Sequence, residues 1–360
     1  MGFGAVLIIS SRNRRFADIA VSSSAQPVSH SGIAGAPLEC AEICGRTLVE
    51  RIIERYAAID CDSISILVEA GIFLPRFRSE HVNVSIETVN DLRPAVTRKL
   101  DEYLEQGIDH AFIQWADTYT ETDLLDVFCF HRESKQMVTP TFDGNGALAL
   151  WVVNCEKAQG APLETLLQQA SRSSRYFIRE FVTRLTHPRS MREFAADMLR
   201  GRCETGPSGR QTRPGIWCDE DADVHRRARL VAPAYIGCGA KVRADALITR
   251  FSNIERECCI DSGTVVEDSC ILAYTTIGIC LDLSHAVVNG NELFNLERDV
   301  AIEISDPKVM KSTATVHKLL FTATEPIEPI ENEVVEKDHK LSKLHPMSQG
   351  WQLNGSLIQE

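Results

Sequence analysis

Three arginines, Arg12, Arg14 and Arg15, follow the apolar run Ala5–Ile9 in the stretch "LIISSRNRRF". Guanidinium groups gathered this closely can neutralise an anion, or they can form a solvated basic turn. Asp117 closes a second apolar stretch, "HAFIQWAD". A carboxylate at a strand end either serves a site or caps the turn that follows. His225 and His285 lie within and just past a repetitive C-terminal stretch, where a histidine could accept a proton. The twelve cysteines offer less chemistry. None form C-x-x-C, and neither Cys40 with Cys44 nor the adjacent Cys258 and Cys259 has zinc-site spacing. In a chain with no export signal they read as small buried hydrophobes.

Charge and hydropathy narrow the setting. A net charge of -12 argues against a protein whose main task is gripping nucleic-acid backbone, and "RNRR" is too short to reverse that. Residues 1–9 are apolar, but their charges follow them, the opposite order to a secretory signal. No apolar run reaches the roughly eighteen residues that span a bilayer. The expectation is a soluble, cytoplasmic protein bound to neither nucleic acid nor membrane.

The elements that must position these residues fall into two patterns. "AVLII", "SISILVEAG", "HVNVSIE" and "HAFIQWAD" read as strands, and "RTLVERIIERYAAI", "DLRPAVTRKLDEYLEQG" and "TETDLLDVFCFHRES" as helices between them. "QMVTPTF" and "ALALWVVN" flank "DGNG", a hairpin signal. Strands alternating with helices predict a mostly parallel sheet covered on both faces. Leu163 to Arg200 is predicted to be largely helical, and "CETGPSGRQTRPG" to be a linker.

Beyond it the period changes to six. Val224, Leu230, Ile236, Val242, Ile248, Ile254 and Ile260 recur every sixth place, and after a one-residue slip the series continues through Val265, Ile271 and Ile277. Four places after each up to Ile271 stands a small residue: Ala228, Ala234, Ala240, Ala246, Ser252, Cys258, Thr264, Ser269 and Thr275; Leu281, after Ile277, is the first large one. Neither a helix nor a half-buried strand has that period; a hexapeptide-repeat parallel β-helix does. Each aliphatic fills a triangular interior and each small residue a corner, so Cys258 is expected to pack and not to react. About ten hexads make about three coils, the minimum for stability, so a partner subunit or another domain is expected to cover an end.

An α/β domain joined to such a repeat resembles the sugar-1-phosphate nucleotidyltransferases, which make nucleotide-sugars. "GRTLVERIIERY" is similar to that family's G-x-P-L-I-x-x-x-I-E-x-L helix, and "GIWCDEDADVHRRARLVAPAYIGCGAKV" to its entry into the hexapeptide coils. The resemblance implies a Rossmann-like (GT-A-like) domain followed by a left-handed parallel β-helix. It implies attack of a sugar 1-phosphate on a nucleoside triphosphate, helped by Mg²⁺, with pyrophosphate released. On this reading Ser10, Ser11, Arg12, Asn13 and Arg15 hold the place of the phosphate loop, Arg14 falls on the family's catalytic arginine, and Asp117 is the magnesium ligand. Glu156 and Lys157 match the Glu-Lys pair that contacts sugar phosphate.

The chain also departs from the pattern. Ser10 and Arg12 replace loop glycines, Pro37-Leu38 stands where Pro-Lys belongs, and no acid follows Glu180 before "THP". Three readings therefore stand: a divergent nucleotidyltransferase, a non-catalytic nucleotide-sugar-binding homologue that pairs with an active one, and a hexapeptide-repeat acyltransferase. A homo-oligomer, or pairing with an active homologue, is expected. The expected organisation is an α/β domain over residues 1–200, a linker over 201–216, the repeat over 217–310 and an extended tail over 311–360.

Overall fold

The computed structural model describes residues 2–10, 32–33, 36–72, 74 and 83–313. Its N-terminal part is built on a seven-stranded mixed sheet. In chain order the elements are β1 (Gly2–Ile9), α1 (Leu48–Ala57), β2 (Ser63–Glu69), β3 (Val84–Val89), α2 (Leu92–Glu105) and β4 (Ile108–Trp115). They continue with β5 (Thr118–Thr120), α3 (Leu124–Ser134), β6 (Val138–Asp143), β7 (Gly146–Asn154), α4 (Cys155–Ala158) and α5 (Leu163–Arg172). The last are β8 (Tyr176–Phe177), β9 (Val182–Arg184) and α6 (Pro188–Arg200).

Across the sheet the order is β8-β6-β7-β4-β1-β2-β3. β1 runs parallel to both neighbours, β2 and β4, and its buried residues face helices on both sides. That double burial is why "AVLII" is continuously apolar and does not alternate. Helix α1 begins with a reciprocal cap: Glu50 N–H donates to Thr47 Oγ1 at 3.1 Å and Thr47 N–H to Glu50 Oε2 at 2.7 Å. Leu48, Ile52, Ile53 and Tyr56 are its buried face, as the spacing predicts.

Leu163 to Arg200, expected to be largely helical, holds two helices, and β8 and β9 lie between them. Tyr176 and Phe177 pair with Thr141 and Phe142 at the sheet edge, so edge pairing overrides a helical pattern that β-branched and aromatic residues support weakly. The segment expected as linker makes specific contacts: Ser208 N–H donates to Cys44 O at 3.0 Å, and Arg51 donates to Gly206 O at 3.1 Å.

The C-terminal part is a series of short strands in three ladders of parallel pairs. Ile216–Cys218, Ala234–Ile236, Ser252–Ile254, Cys270–Ile271 and Ala286–Asn289 stack in one ladder. Asp223–Val224, Lys241–Val242, Cys259–Ile260 and Thr275–Ile277 form the second, and Arg229–Leu230, Leu247–Thr249, Val265–Glu267 and Asp282–Ser284 the third. The chain therefore visits each ladder once per circuit. Early circuits take 18 residues, as in Tyr235↔Asn253, and later ones 17, as in Asn253↔Cys270.

Buried aliphatics locate the slip. Val266 points inward and is fully buried, whereas Val265 is half-buried, so the short step falls between Val266 and Ile271, one repeat later than the sequence pattern suggests. All the small residues from Ala234 to Thr275 are buried at corners. A residue of left-handed φ precedes seven of them, among them Asp245 (61°), Phe251 (59°), Glu257 (53°) and Tyr274 (62°). Such a turn costs a non-glycine residue roughly 1 kcal/mol or more. Hydrogen bonds between stacked corners, such as Thr264 Oγ1 to Gly278 O at 2.6 Å, help offset it.

The α/β domain covers a flank of this coil. Tyr235, Asn253, Cys270 and Val287 face outward from the first ladder and are nonetheless buried. Tyr235, Cys270, Val287 and Phe294 share one hydrophobic cluster with Leu38, Ile43, Met191 and Phe194. Arg192 of α6 pairs with Asp268 across the same boundary, and His187 with Asp299 at 3.1 Å.

Candidate functional site

In a doubly wound sheet a crevice opens where the connections change direction, at the carboxyl ends of the strands. Here the chain leaves β1 toward β2 and β3, then returns through α2 to lay β4 on the other side of β1. The change of direction lies between β1 and β4. Ile8 is level with Trp115, and Ala116 N–H donates to Ile8 O at 2.9 Å. Ser10 and Asp117 thus each stand two residues past this pair, at the ends of adjacent strands, which run about 4.8 Å apart.

Each is held. Ser10 Oγ donates to Glu69 Oε2 at 2.8 Å, which adds the end of β2 to the group. Thr118 Oγ1 donates to Asp117 Oδ1 at 2.9 Å, and Asp117 O accepts from Leu185 N–H at 2.7 Å. Asp117 is half-buried. Ser11, Arg12, Asn13, Arg14 and Arg15, which continue from Ser10, lie outside the described residues.

A cation that the sequence motifs do not single out joins this edge. β9 pairs antiparallel with β5, placing Arg184 opposite Thr118, beside Asp117. Its guanidinium forks onto Asp143 at the end of β6, at 2.8 and 2.9 Å. Burial pushes the Asp143 carboxyl up, but Arg184 and the backbone N–H groups of Asn145 and Gly146 outweigh it and hold it below its ordinary value. Where the family resemblance calls for a second carboxylate before "THP", this chain presents a guanidinium. Only the pairing of β5 with β9, two strands 60 or so residues apart, reveals it.

Glu156 and Lys157 do not join the group. They follow β7, whose Asn154 is level with His110 at the start of β4. Seven residues of strand separate His110 from Asp117, roughly 23 Å at a strand's rise. Glu156 and Lys157 therefore stand at the opposite edge, where Lys157 Nζ donates to Lys135 O at 2.5 Å. The hairpin reverses the chain, and sequence order alone gave no hint of which edge it would reach. An open depression of about 610 Å³ also lies at that far edge, lined by Gly2, Asp62, Asn83, Ser85 and Gln106 among others, with no cation among the described residues of its wall.

The two histidines of the repeat have structural partners. His225 Nδ1 accepts from Arg227 N–H at 3.2 Å within its own turn. His285 Nδ1 lies 2.6 Å from Asp268, the same carboxylate that Arg192 engages, so this pair belongs to the boundary between domain and coil. Among the described residues no three His, Cys, Asp or Glu converge as metal ligands. Magnesium is content with one or two carboxylates when phosphate oxygens and water complete its shell, and Asp117 fits that lesser requirement.

No protein-family model matches the chain, and no curated protein matches it. No helix among the described residues is long and apolar enough to cross a membrane.

Proposed function

We propose that the chain is a sugar nucleotidyltransferase-like protein that takes a nucleoside triphosphate or nucleotide-sugar at the carboxyl edge of its sheet, with sugar 1-phosphate alongside. The observation that carries this reading is the change of winding direction between β1 and β4, which sets Ser10 and Asp117 side by side. Phosphoryl chemistry asks a protein for charge neutralisation and positioning more than for covalent help. Asp117 is the residue that would hold Mg²⁺, and the ion would neutralise phosphate oxygens there. Arg184, paired with Asp143, lies opposite Thr118 on the neighbouring strand, and the Arg12, Arg14 and Arg15 cluster follows Ser10 in the sequence. On the same reading the three-ladder coil is a left-handed parallel β-helix and the sheet domain is GT-A-like.

Calorimetric titration with nucleoside triphosphates and nucleotide-sugars, with and without Mg²⁺, tests this beside a pyrophosphate-release assay. Magnesium-dependent binding that Asp117→Asn weakens tenfold or more supports the site. Pyrophosphate release from such a complex assigns catalysis, and binding without release assigns the non-catalytic, regulatory role. A protein that binds no nucleotide or nucleotide-sugar under either condition overturns the proposal.

A further inference from the structure

The coil carries one fully buried acid, Glu255, and its carboxylate faces the α/β domain. The turn between the short strands Glu42–Ile43 and Arg46–Thr47 presents two successive backbone N–H groups to it. Cys44 N–H donates to Glu255 Oε1 at 2.7 Å and Gly45 N–H to Oε2 at 2.9 Å. Asn253 Nδ2, on the coil, donates to Oε1 at 2.6 Å. Successive N–H groups in a tight turn form a small anion-binding concavity, and here the occupant comes from 210 residues further along the chain. Cys44 and Gly45 have φ of 52° and 91°, and a Cβ on Gly45 would stand 2.3 Å from Tyr235 Oη and 2.6 Å from Ser208 Cβ. Nothing but glycine lets the turn approach this closely.

We propose that Glu255 is a proton-operated latch that seats the α/β domain on the coil by gripping the Cys44–Gly45 turn. Burial, and then the nearby Glu42 carboxylate, push the Glu255 carboxyl up to about 7, against the pull of the three donors. The other charged groups around it are fixed. Glu42 is paired with Arg256 at 2.7 Å, and Arg51 of α1 donates to Ile43 O at 2.9 Å. Arg192 of α6 is engaged by Asp268. Burial raises the Cys44, Cys258 and Cys270 thiols and the Tyr235 hydroxyl, so these stay neutral near pH 7. Asp219 accepts from Tyr235 Oη at 3.2 Å at the rim of the seat.

The sign follows from linkage. A carboxyl whose folded value lies above its ordinary 4.5 releases its proton when the seat opens. The latch is fully engaged below that ordinary value, weakens as pH rises, and has lost its contribution once pH passes about 7. When protonated, the acid can donate to the Asn253 amide oxygen if that amide turns over, so the seat can adapt to either charge state.

Hydrogen exchange on the full chain from pH 5 to pH 8, corrected for the intrinsic rate, reads this directly at the Cys44 and Gly45 amides. Their protection falls by up to tenfold per pH unit between about pH 5 and 7 and levels off above that. Glu255→Gln flattens the profile, and Glu42→Gln moves the levelling-off to lower pH. A wild-type profile flat over the whole range, or a Glu255→Gln profile with the wild-type slope, overturns the latch. If Glu255→Gln does not fold, Glu42→Gln decides, and a profile left unshifted by that substitution overturns the latch.

Discussion

The sheet domain and the coil each bury a titratable group, and the two respond to protons in opposite directions. In the sheet domain, His131 sits between α3 and β6 with Nδ1 2.8 Å from Thr139 Oγ1, and burial, then His110 and Lys157, bring it down to about 4. In the coil, burial raises Glu255 to about 7. A neutral imidazole is preferred in one place and a neutral acid in the other because each pocket penalises the charged form. The sheet domain consequently gains stability as pH rises from about 4 to 6.5, and the seat on the coil loses it from 4.5 to about 7. The windows overlap, so the whole chain's stability should look flatter in pH than either part is.

The sharpest way to break this comparison is to ask whether the parts unfold separately. Ile66→Ala in β2 and Ile260→Ala in the coil each empty a fully buried site and should each cost about 2–5 kcal/mol. Because one hydrophobic cluster spans both parts, denaturant melts of either variant should remain a single transition. A second transition in Ile260→Ala alone would show that the coil stands independently.

Next in size are the two buried groups. His131→Gln and Glu255→Gln should tilt the pH–stability curve in opposite senses, each on the order of 3 kcal/mol across its window. Urea melts at pH 4.5, 5.5, 6.5 and 7.5 measure it; equal tilts of one sign would refute the assignment. Thr47→Ala removes a cap of the sheet domain and should cost about 1 kcal/mol in thermal melts, without changing the pH profile. Arg227→Ala removes an exposed pair with Asp245 on the coil and should change stability by less than about 0.5 kcal/mol. A larger loss there would mean that the outer surface of the coil is less solvated than the fold indicates.

The parts also differ in how far a reader of the sequence can go. In the coil, Ile236, Ile248, Ile254 and Ile260 are inward and buried as their six-residue spacing requires, and Cys258 fills a corner. Each residue's neighbours there are set by a fixed offset of 17 or 18 positions, so local pattern and tertiary environment coincide. The slip at Val266 escaped because Val265 and Val266 are both aliphatic, and only pairing across the ladder chooses between them. In the sheet domain the strands and α1 were legible from their apolar patterning, and Asp117 from its place at a strand end. Glu156 and Lys157 were misplaced because a hairpin sends them to the far edge, and Arg184 was missed because its relation to Asp117 is a strand pairing.

The sequence by itself determined which segments coil on a period of six, which form buried strands, and that an acid stands at a strand end. Those properties follow from local spacing and from the requirement that apolar faces be buried. Tertiary structure alone decided which ends of the strands share an edge, that Arg184 pairs opposite Thr118 and forks onto Asp143, and that Glu255 reaches Cys44 and Gly45. These depend on winding order and on contacts between residues up to 211 positions apart, and no local period encodes them.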